Sequence, residues 1–257
     1  MGSNRIFIAF LTILRKEVTR FLRIWGQTIL PPAVSMTLYF IIFGNLIGPR
    51  IGSMNGFLYM EFIAPGLIMM SIINNSYSNV VASFFGAKFQ RHIEEMLIAP
   101  IPDSIILAGY ILGGVARGLA VGLVVTVVAL FFTEVHIHNY LIVISVAILT
   151  AVLFSLGGFI NAVFARTFDD ISIIPTFVLT PLIYLGGIFY SIDMLPSFWQ
   201  SISKINPILY MVNAFRYGIL GISDINIAYA FAIIFLFIII LTICALVLLK
   251  KGIGIKS

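Results

Sequence analysis

The chain is poor in charge. Only 10% of its 257 residues are Asp, Glu, Lys or Arg, against roughly 25% in ordinary soluble domains. With 61% hydrophobic residues and a mean hydropathy of +1.12, it has more apolar surface than a water-soluble core of this length can hide, so lipid is the expected solvent. A single cysteine, Cys244, lies in the last apolar run and excludes an intrachain disulfide framework and a cysteine-based metal site. The Gly-x-x-x-x-Gly-Lys-Ser/Thr frame that cradles a triphosphate is missing around Lys88, Lys204, Lys250, Lys251 and Lys256. If ATP drives this protein, another chain binds it, and no cofactor is expected here. No nucleophile and base pairing for an intramembrane hydrolase stands out, so no catalytic residue is assigned. His136 and His138 have only Glu134 nearby as a further ligand, so no metal is expected either.

What the chain does have is apolar length. A spanning helix takes about 20 predominantly apolar residues, and that ruler gives six segments: 25–47, 57–81, 105–132, 140–165, 171–190 and 227–249. Backbone in lipid must satisfy its own hydrogen bonds. Unbroken runs such as Ile105 to Phe132 lack the alternation of barrel strands, so helices are expected. With a cytoplasmic N-terminus, Arg5, Arg15, Lys16, Arg20, Arg23, Lys88, Arg91, Arg166, Lys250, Lys251 and Lys256 lie inside, and only Arg50, Lys204 and Arg216 outside. Both termini are therefore expected in the cytoplasm. The same distribution accounts for the net charge of +5, and no nucleic-acid partner is inferred. The first 24 residues, too interrupted by charge for a signal peptide, read as an amphipathic helix lying in the interface, with Arg15, Lys16, Glu17 and Arg20 opposite an apolar face.

Between the second and third segments, Phe85, Phe89, Ile93, Met96 and Leu97 fall at helical spacing, with Lys88, Arg91, Glu94 and Glu95 on the other side. Arg91 and Glu95 stand at i, i+4 and can pair, and Pro100 and Pro102 end the helix. Such a helix suits a mechanical contact with a soluble partner, the alternative being a helix that only rides the lipid headgroups. Arg117 lies inside the third segment, where a lone charge is costly; Asp169 and Asp170 are acidic partners to consider. Gly114, Gly118 and Gly122 form a small-residue face suited to close helix packing. Pro175 and Pro181 permit kinks in the fifth segment.

The run Ile93-Glu94-Glu95-Met96-Leu97-Ile98-Ala99-Pro100 resembles the coupling-helix signature of ABC-2 type exporter permeases. Leu195-Pro196-Ser197-Phe198-Trp199, Asn206-Pro207 and Phe215-Arg216-Tyr217 resemble the short extracellular helices of that family. The resemblance covers nearly the whole chain and implies an all-α membrane protein of the bacterial inner membrane. It implies one transmembrane domain over 1–257: an interfacial helix (1–24), spans one and two (25–81), a coupling-helix region (82–104), spans three to five (105–190), re-entrant extracellular helices (191–226), and the last span with a cytoplasmic tail (227–257). It further implies a homodimer carrying two copies of an ATPase subunit that binds ATP and Mg, and export or flipping of an amphipathic or lipid-like substrate. By the resemblance Arg91, Glu94, Glu95, Met96, Leu97 and Pro100 would engage the ATPase. Tyr39, Asn74, Asn75, Tyr77, Thr180 and Tyr184 would line the path, and Pro196, Trp199, Asn206, Pro207 and Arg216 would form an outer gate. The competing classes are an ATP-independent lipid scramblase and an ion-coupled carrier; the latter usually places acids inside its spans, and here only Glu61, near the outer end of the second, comes close.

Overall fold

Long apolar runs satisfy their backbone internally by forming helix, and the computed structural model, which describes residues 3–254, is almost entirely helical. The N-terminal arm runs through α1 (Ser3–Arg23), α2 (Trp25–Thr28), α3 (Leu30–Tyr39), a π-helical stretch Phe40–Ile47 and α4 (Gly48–Ile51). A two-residue hairpin, β1 (Ser53–Met54) and β2 (Phe57–Leu58), follows. It turns at Asn55-Gly56 with φ of 51° and 87°, the pair of left-handed residues that a tight hairpin demands. Then come α5 (Tyr59–Phe89), α6 (His92–Ile98), α7 (Asp103–Ala129) and α8 (Tyr140–Phe164). α9 (Asp170–Ile174) and α10 (Thr180–Tyr184) flank a π-helical turn at Pro175–Leu179; α11 (Ser197–Ile205), α12 (Pro207–Leu220) and α13 (Ile227–Lys251) complete the chain. Lys256, used above in reading the termini, lies outside the described residues.

Four of the expected segments are helices long and apolar enough to cross a membrane: Trp25–Ile51, Asp103–Ala129, Tyr140–Phe164 and Ile227–Lys251. The other two differ for identifiable reasons. α5 has 31 residues, about 46 Å at 1.5 Å per residue, but Asn74, Asn75, Ser76, Ser78 and Asn79 dilute its apolar character. Asp170–Tyr184 is apolar but short, and its π-helical turn begins at Pro175, where the missing N–H breaks the regular ladder.

α5 is the axle of the structure. It is buried along most of its length and wedged between α7 and α8. Gly114, Gly118 and Gly122 of α7 face Val80, Ser76 and Ile72 of α5, so the small-residue face brings these two helices together within one subunit. At the C-terminal end of α5 the Lys88 ammonium donates to the carbonyls of Val163 and Ala165, each at 2.6 Å. It thereby satisfies the open C-terminus of α8.

Two sequence expectations need correction. α5 does not stop near residue 81 but continues to Phe89, because Phe84 and Phe85 are buried at its end. The amphipathic loop helix is therefore divided, and only His92–Ile98 is separate. In α1 the buried stripe is Ile13, Glu17 and Phe21, so Glu17 stands on the packed face and not among the solvated charges. Ile13 rests on Gly109 and the Glu17 stem on Gly113, so α1 climbs alongside α7 in the same direction.

At the opposite end, Asn206 joins α11 to α12. Its carbonyl oxygen accepts from Ile208 N at 3.0 Å and its amide donates to Leu182 O at 2.6 Å, while Pro207 occupies the first turn of α12. A methyl group added at Gly114 would lie 3.0 Å from the Ser76 carbonyl and closer still to side chains of α5 and α8. Gly114→Val should therefore lower the unfolding temperature in detergent, through overpacking worth about 1–3 kcal/mol. Gly26→Ala, at an open position, should not; equal unfolding temperatures for wild type and Gly114→Val would contradict the close α5–α7 contact.

Candidate functional site

The end of the bundle where α5 meets α7 is organised around α6. Gln90 closes α5, and Arg91 takes a left-handed conformation (φ 62°) that turns the chain into α6. Ile93 is fully buried and roots the short helix, Met96 and Leu97 are half-buried, and Glu95, Pro100 and Ile98 face outward, Ile98 with 85% exposure. Glu94 is half-buried. The Tyr110 hydroxyl lies 3.9 Å from Met96 Sδ and ties α6 to α7. The Arg91–Glu95 pair expected from spacing is not formed: both ion pairs among the described residues are at Glu17. Arg91 is the junction residue ahead of the helix, so the i, i+4 geometry does not apply to it.

Asp169 and Asp170 do not reach Arg117. The Asp170 carboxylate accepts from the backbone N–H of Arg166 at 2.8 Å and of Thr167 at 3.0 Å, and the Thr167 hydroxyl accepts from Asp170 N at 3.3 Å. This reciprocal cap starts α9. The backbone hydrogen bonds from Arg166 and Thr167 hold the Asp170 carboxyl below the usual carboxylate range.

Inside the bundle, α5 presents Asn75, Asn79 and Ser83 one turn apart on one face. The Ser83 hydroxyl donates to Glu17 Oε1 at 2.6 Å. Arg20 donates to Asn79 Oδ1 at 2.8 Å and to the Asn79 carbonyl at 3.0 Å, and pairs with Glu17 at 3.4 Å. Arg117 donates to Asn75 Oδ1 at 3.3 Å. Glu17 and Arg20 had drawn no attention beyond the polar face of α1; the signal that marks them is the recurrence of Asn and Ser at a four-residue spacing in an otherwise apolar helix.

Of the six path residues, Tyr39 and Tyr184 share one aromatic cluster. Both rings lie about Phe189, at 6.0 and 6.1 Å, and Phe43 joins at 5.0 Å. Thr180 bonds the Pro175 carbonyl at 2.9 Å across the π-helical turn. Asn75 and Tyr77 are buried within α5, Tyr77 near Gly157 of α8, and Asn74 bonds back to Met70 O. Asn75 thus meets Arg117 of α7 and Tyr77 meets α8, so the α5 residues do not share one face.

The outer residues are likewise divided. Pro196 and Trp199 are exposed on α11, whereas Asn206 and Arg216 are buried. The Arg216 guanidinium lies 3.9 Å above the Phe62 ring and donates to the Gly187 carbonyl, fastening α12 to α5 and to the turn after α10. Glu61 accepts from Leu58 N at 2.9 Å and caps the N-terminal end of α5.

Together these features describe a helical membrane protein whose short α6 is rooted by Ile93 and exposes Glu95 and Ile98. The chain belongs to the ABC-2 type transporter family, whose model matches residues 8–220. It is 57% identical over 251 residues, 98% of each chain, to the inner membrane transport permease YadH of Escherichia coli strain K12. A more distant similarity, 23% over 215 residues and 83% of each chain, is to nodulation protein J of Rhizobium leguminosarum bv. viciae. It is a multi-pass protein of the inner membrane.

The left-handed turn at Arg91 yields a direct test. Arg91→Gly should leave the unfolding temperature unchanged or raise it, since glycine adopts this backbone freely. Arg91→Val should destabilise by about 1–2 kcal/mol. Indistinguishable effects of Gly and Val would contradict the turn.

Proposed function

We propose that this chain is the membrane-spanning subunit of an ATP-driven exporter, coupled through α6 to a separate ATPase. The observation that carries the reading is the division of labour within α6: Ile93 is fully buried and Ile98 is 85% exposed, with Glu95 beside it. A helix fixed at its base and offering an apolar and an acidic side chain to the cytoplasm suits a docking groove on a soluble partner. Arg91, Glu94, Met96, Leu97 and Pro100 would complete that contact.

On this reading six spans cross the membrane: Trp25–Ile51, α5, α7, α8, the broken Asp170–Tyr184 stretch and α13. Both termini are cytoplasmic, α1 lies on the ATPase side, and α11 with α12 forms a re-entrant pair at the outer exit. Two subunits assemble with two ATPases, which bind the ATP and Mg; the permease itself catalyses nothing. The cargo is an amphipathic or lipid-like molecule. Tyr39, Thr180 and Tyr184 line its route, with Asn74, Asn75 and Tyr77 contributing from α5, and Pro196, Trp199, Asn206, Pro207 and Arg216 shape the gate. The kinked Pro175–Leu179 turn gives the fifth span a place to bend when nucleotide closes the ATPases. An ion-coupled carrier is less well supported, because Glu61 is engaged in capping α5.

Coexpression with the ATPase encoded beside it, followed by purification into nanodiscs, tests this. The wild type should copurify stoichiometrically with vanadate-sensitive ATP hydrolysis, and the double charge reversal Glu94→Lys with Glu95→Lys should insert normally but lose the ATPase. Full retention of the ATPase by the double reversal would remove α6 from the coupling role.

A further inference from the structure

The polar face of α5 is a ladder. Asn75, Asn79 and Ser83 stand about 6 Å apart along the helix axis, and each holds a charged side chain from a neighbouring helix: Arg117, Arg20 and Glu17 respectively. The lower rungs balance their charge. Glu17, fully buried, is engaged by Ser83, by Arg20 at 3.4 Å and by Lys16 at 3.8 Å. The upper rung does not balance. Arg117 sits near the middle of α7, and the neutral Asn75 is its one hydrogen-bonding side chain among the described residues. Among the described residues its Nε is buried without a partner, as are the Nε of Arg20 and the hydroxyl of Ser76 on the adjoining turn. Arg20, one rung below, adds like-charge repulsion.

A guanidinium has five N–H donors, and a cation held inside a span without a counter-ion is costly to keep. Lys16, Arg20 and Arg117 outnumber the single carboxylate of Glu17 in this cluster, so the set lacks an anion. Access is present: the Arg20 side chain is 29% exposed and Arg117 is half-buried. Lys16, 51% exposed, stands toward the cytoplasmic end of the same series. A planar guanidinium matches phosphate oxygens two at a time.

We propose that Arg117 and Arg20 bind the phosphate-bearing headgroup of an anionic amphiphile that enters between α1, α5 and α7 from the cytoplasmic leaflet. The ladder draws the headgroup past Lys16 and Arg20 to Arg117, while the acyl chains stay against the exposed apolar surface of α2 and α3. The proposal rests on the permease reading and narrows its cargo from amphipathic to anionic. It commits to a lipid source over free phosphate, because the upper rung lies deep within a helix of the spanning class.

The test uses the full chain alone, purified in a neutral detergent, so that its failure leaves the ATPase coupling untouched. Phosphatidylglycerol, phosphatidylcholine and glycerol 3-phosphate are titrated while binding is read by native mass spectrometry and by the unfolding temperature. Phosphatidylglycerol should bind and stabilise, and the other two should not. Arg117→Met should weaken phosphatidylglycerol binding about tenfold, the worth of one charge-assisted hydrogen bond. Its lipid-free unfolding temperature should equal or exceed that of wild type, since an uncompensated buried charge has been removed. Should Arg117→Met fail to insert, Arg117→Lys serves: weakened binding at an unchanged lipid-free unfolding temperature supports the site, and undiminished binding overturns it. Equal binding of phosphatidylglycerol and phosphatidylcholine by wild type would overturn the proposal, as would a lower lipid-free unfolding temperature in Arg117→Met with lipid binding intact. Binding of glycerol 3-phosphate as tight as that of phosphatidylglycerol would overturn the lipid source.

Discussion

The buried carboxylate of Glu17 is the constraint on which the end of the structure that carries α6 depends. A charge at 0% exposure persists in a protein interior only if its lone pairs are filled, and here Ser83, Arg20 and Lys16 fill them. Because Ser83 belongs to α5 and Glu17 to α1, meeting that requirement fixes the N-terminal helix against the central one. α5 in turn is joined to α6 by a single turn at Arg91, and Lys88 near the end of α5 closes α8. Displacement of α6 therefore acts on a block comprising α1, α5 and α8. In this arrangement polar side chains set positions, and the apolar residues supply close packing around them.

The two ends of the structure solve different problems. The end that carries α6 is held by charged side chains on backbone carbonyls and on one another. The opposite end is held by caps and by cation–π contact: Asn206 at the start of α12, Glu61 at the start of α5, and Arg216 over Phe62. Between them, the π-helical stretches Phe40–Ile47 and Pro175–Leu179 interrupt two largely exposed helical segments, and π-helical turns of this kind are frequent at functional sites. The aromatic cluster of Tyr39, Phe43, Tyr184 and Phe189 lies between those segments. Both π-helical segments thus meet at one aromatic cluster, while α5, α7 and α8 form the buried core.

Hydropathy alone located the four long apolar helices, since runs such as Ile227 to Leu249 have no alternative in lipid. It also marked Arg117 as anomalous and the glycine face of α7 as a packing surface. Three features were hidden for physical reasons. Glu17 lies among Arg15, Lys16 and Arg20, so a periodicity reading assigns it to the polar face, although Ser83 draws it inward. Arg91 adopts a backbone that arginine rarely favours, so nothing local announces the break between α5 and α6. Asp170 looked like a counter-ion for Arg117, but its carboxylate is engaged by the adjacent backbone. One missed signal was readable: Asn55-Gly56 is a strong hairpin turn, and it leads into the N-terminus of α5.

The account stands or falls on whether Glu17 holds α1 to α5 through Ser83. A double-mutant cycle with Glu17→Gln, Ser83→Ala and the pair, followed by reversible unfolding of the purified full chain, measures that interaction directly. The account predicts a coupling energy of about 1.5–3 kcal/mol, as for a hydrogen bond to a charged group. Additive effects, with coupling below about 0.5 kcal/mol, would contradict it and leave α1 held by apolar packing alone.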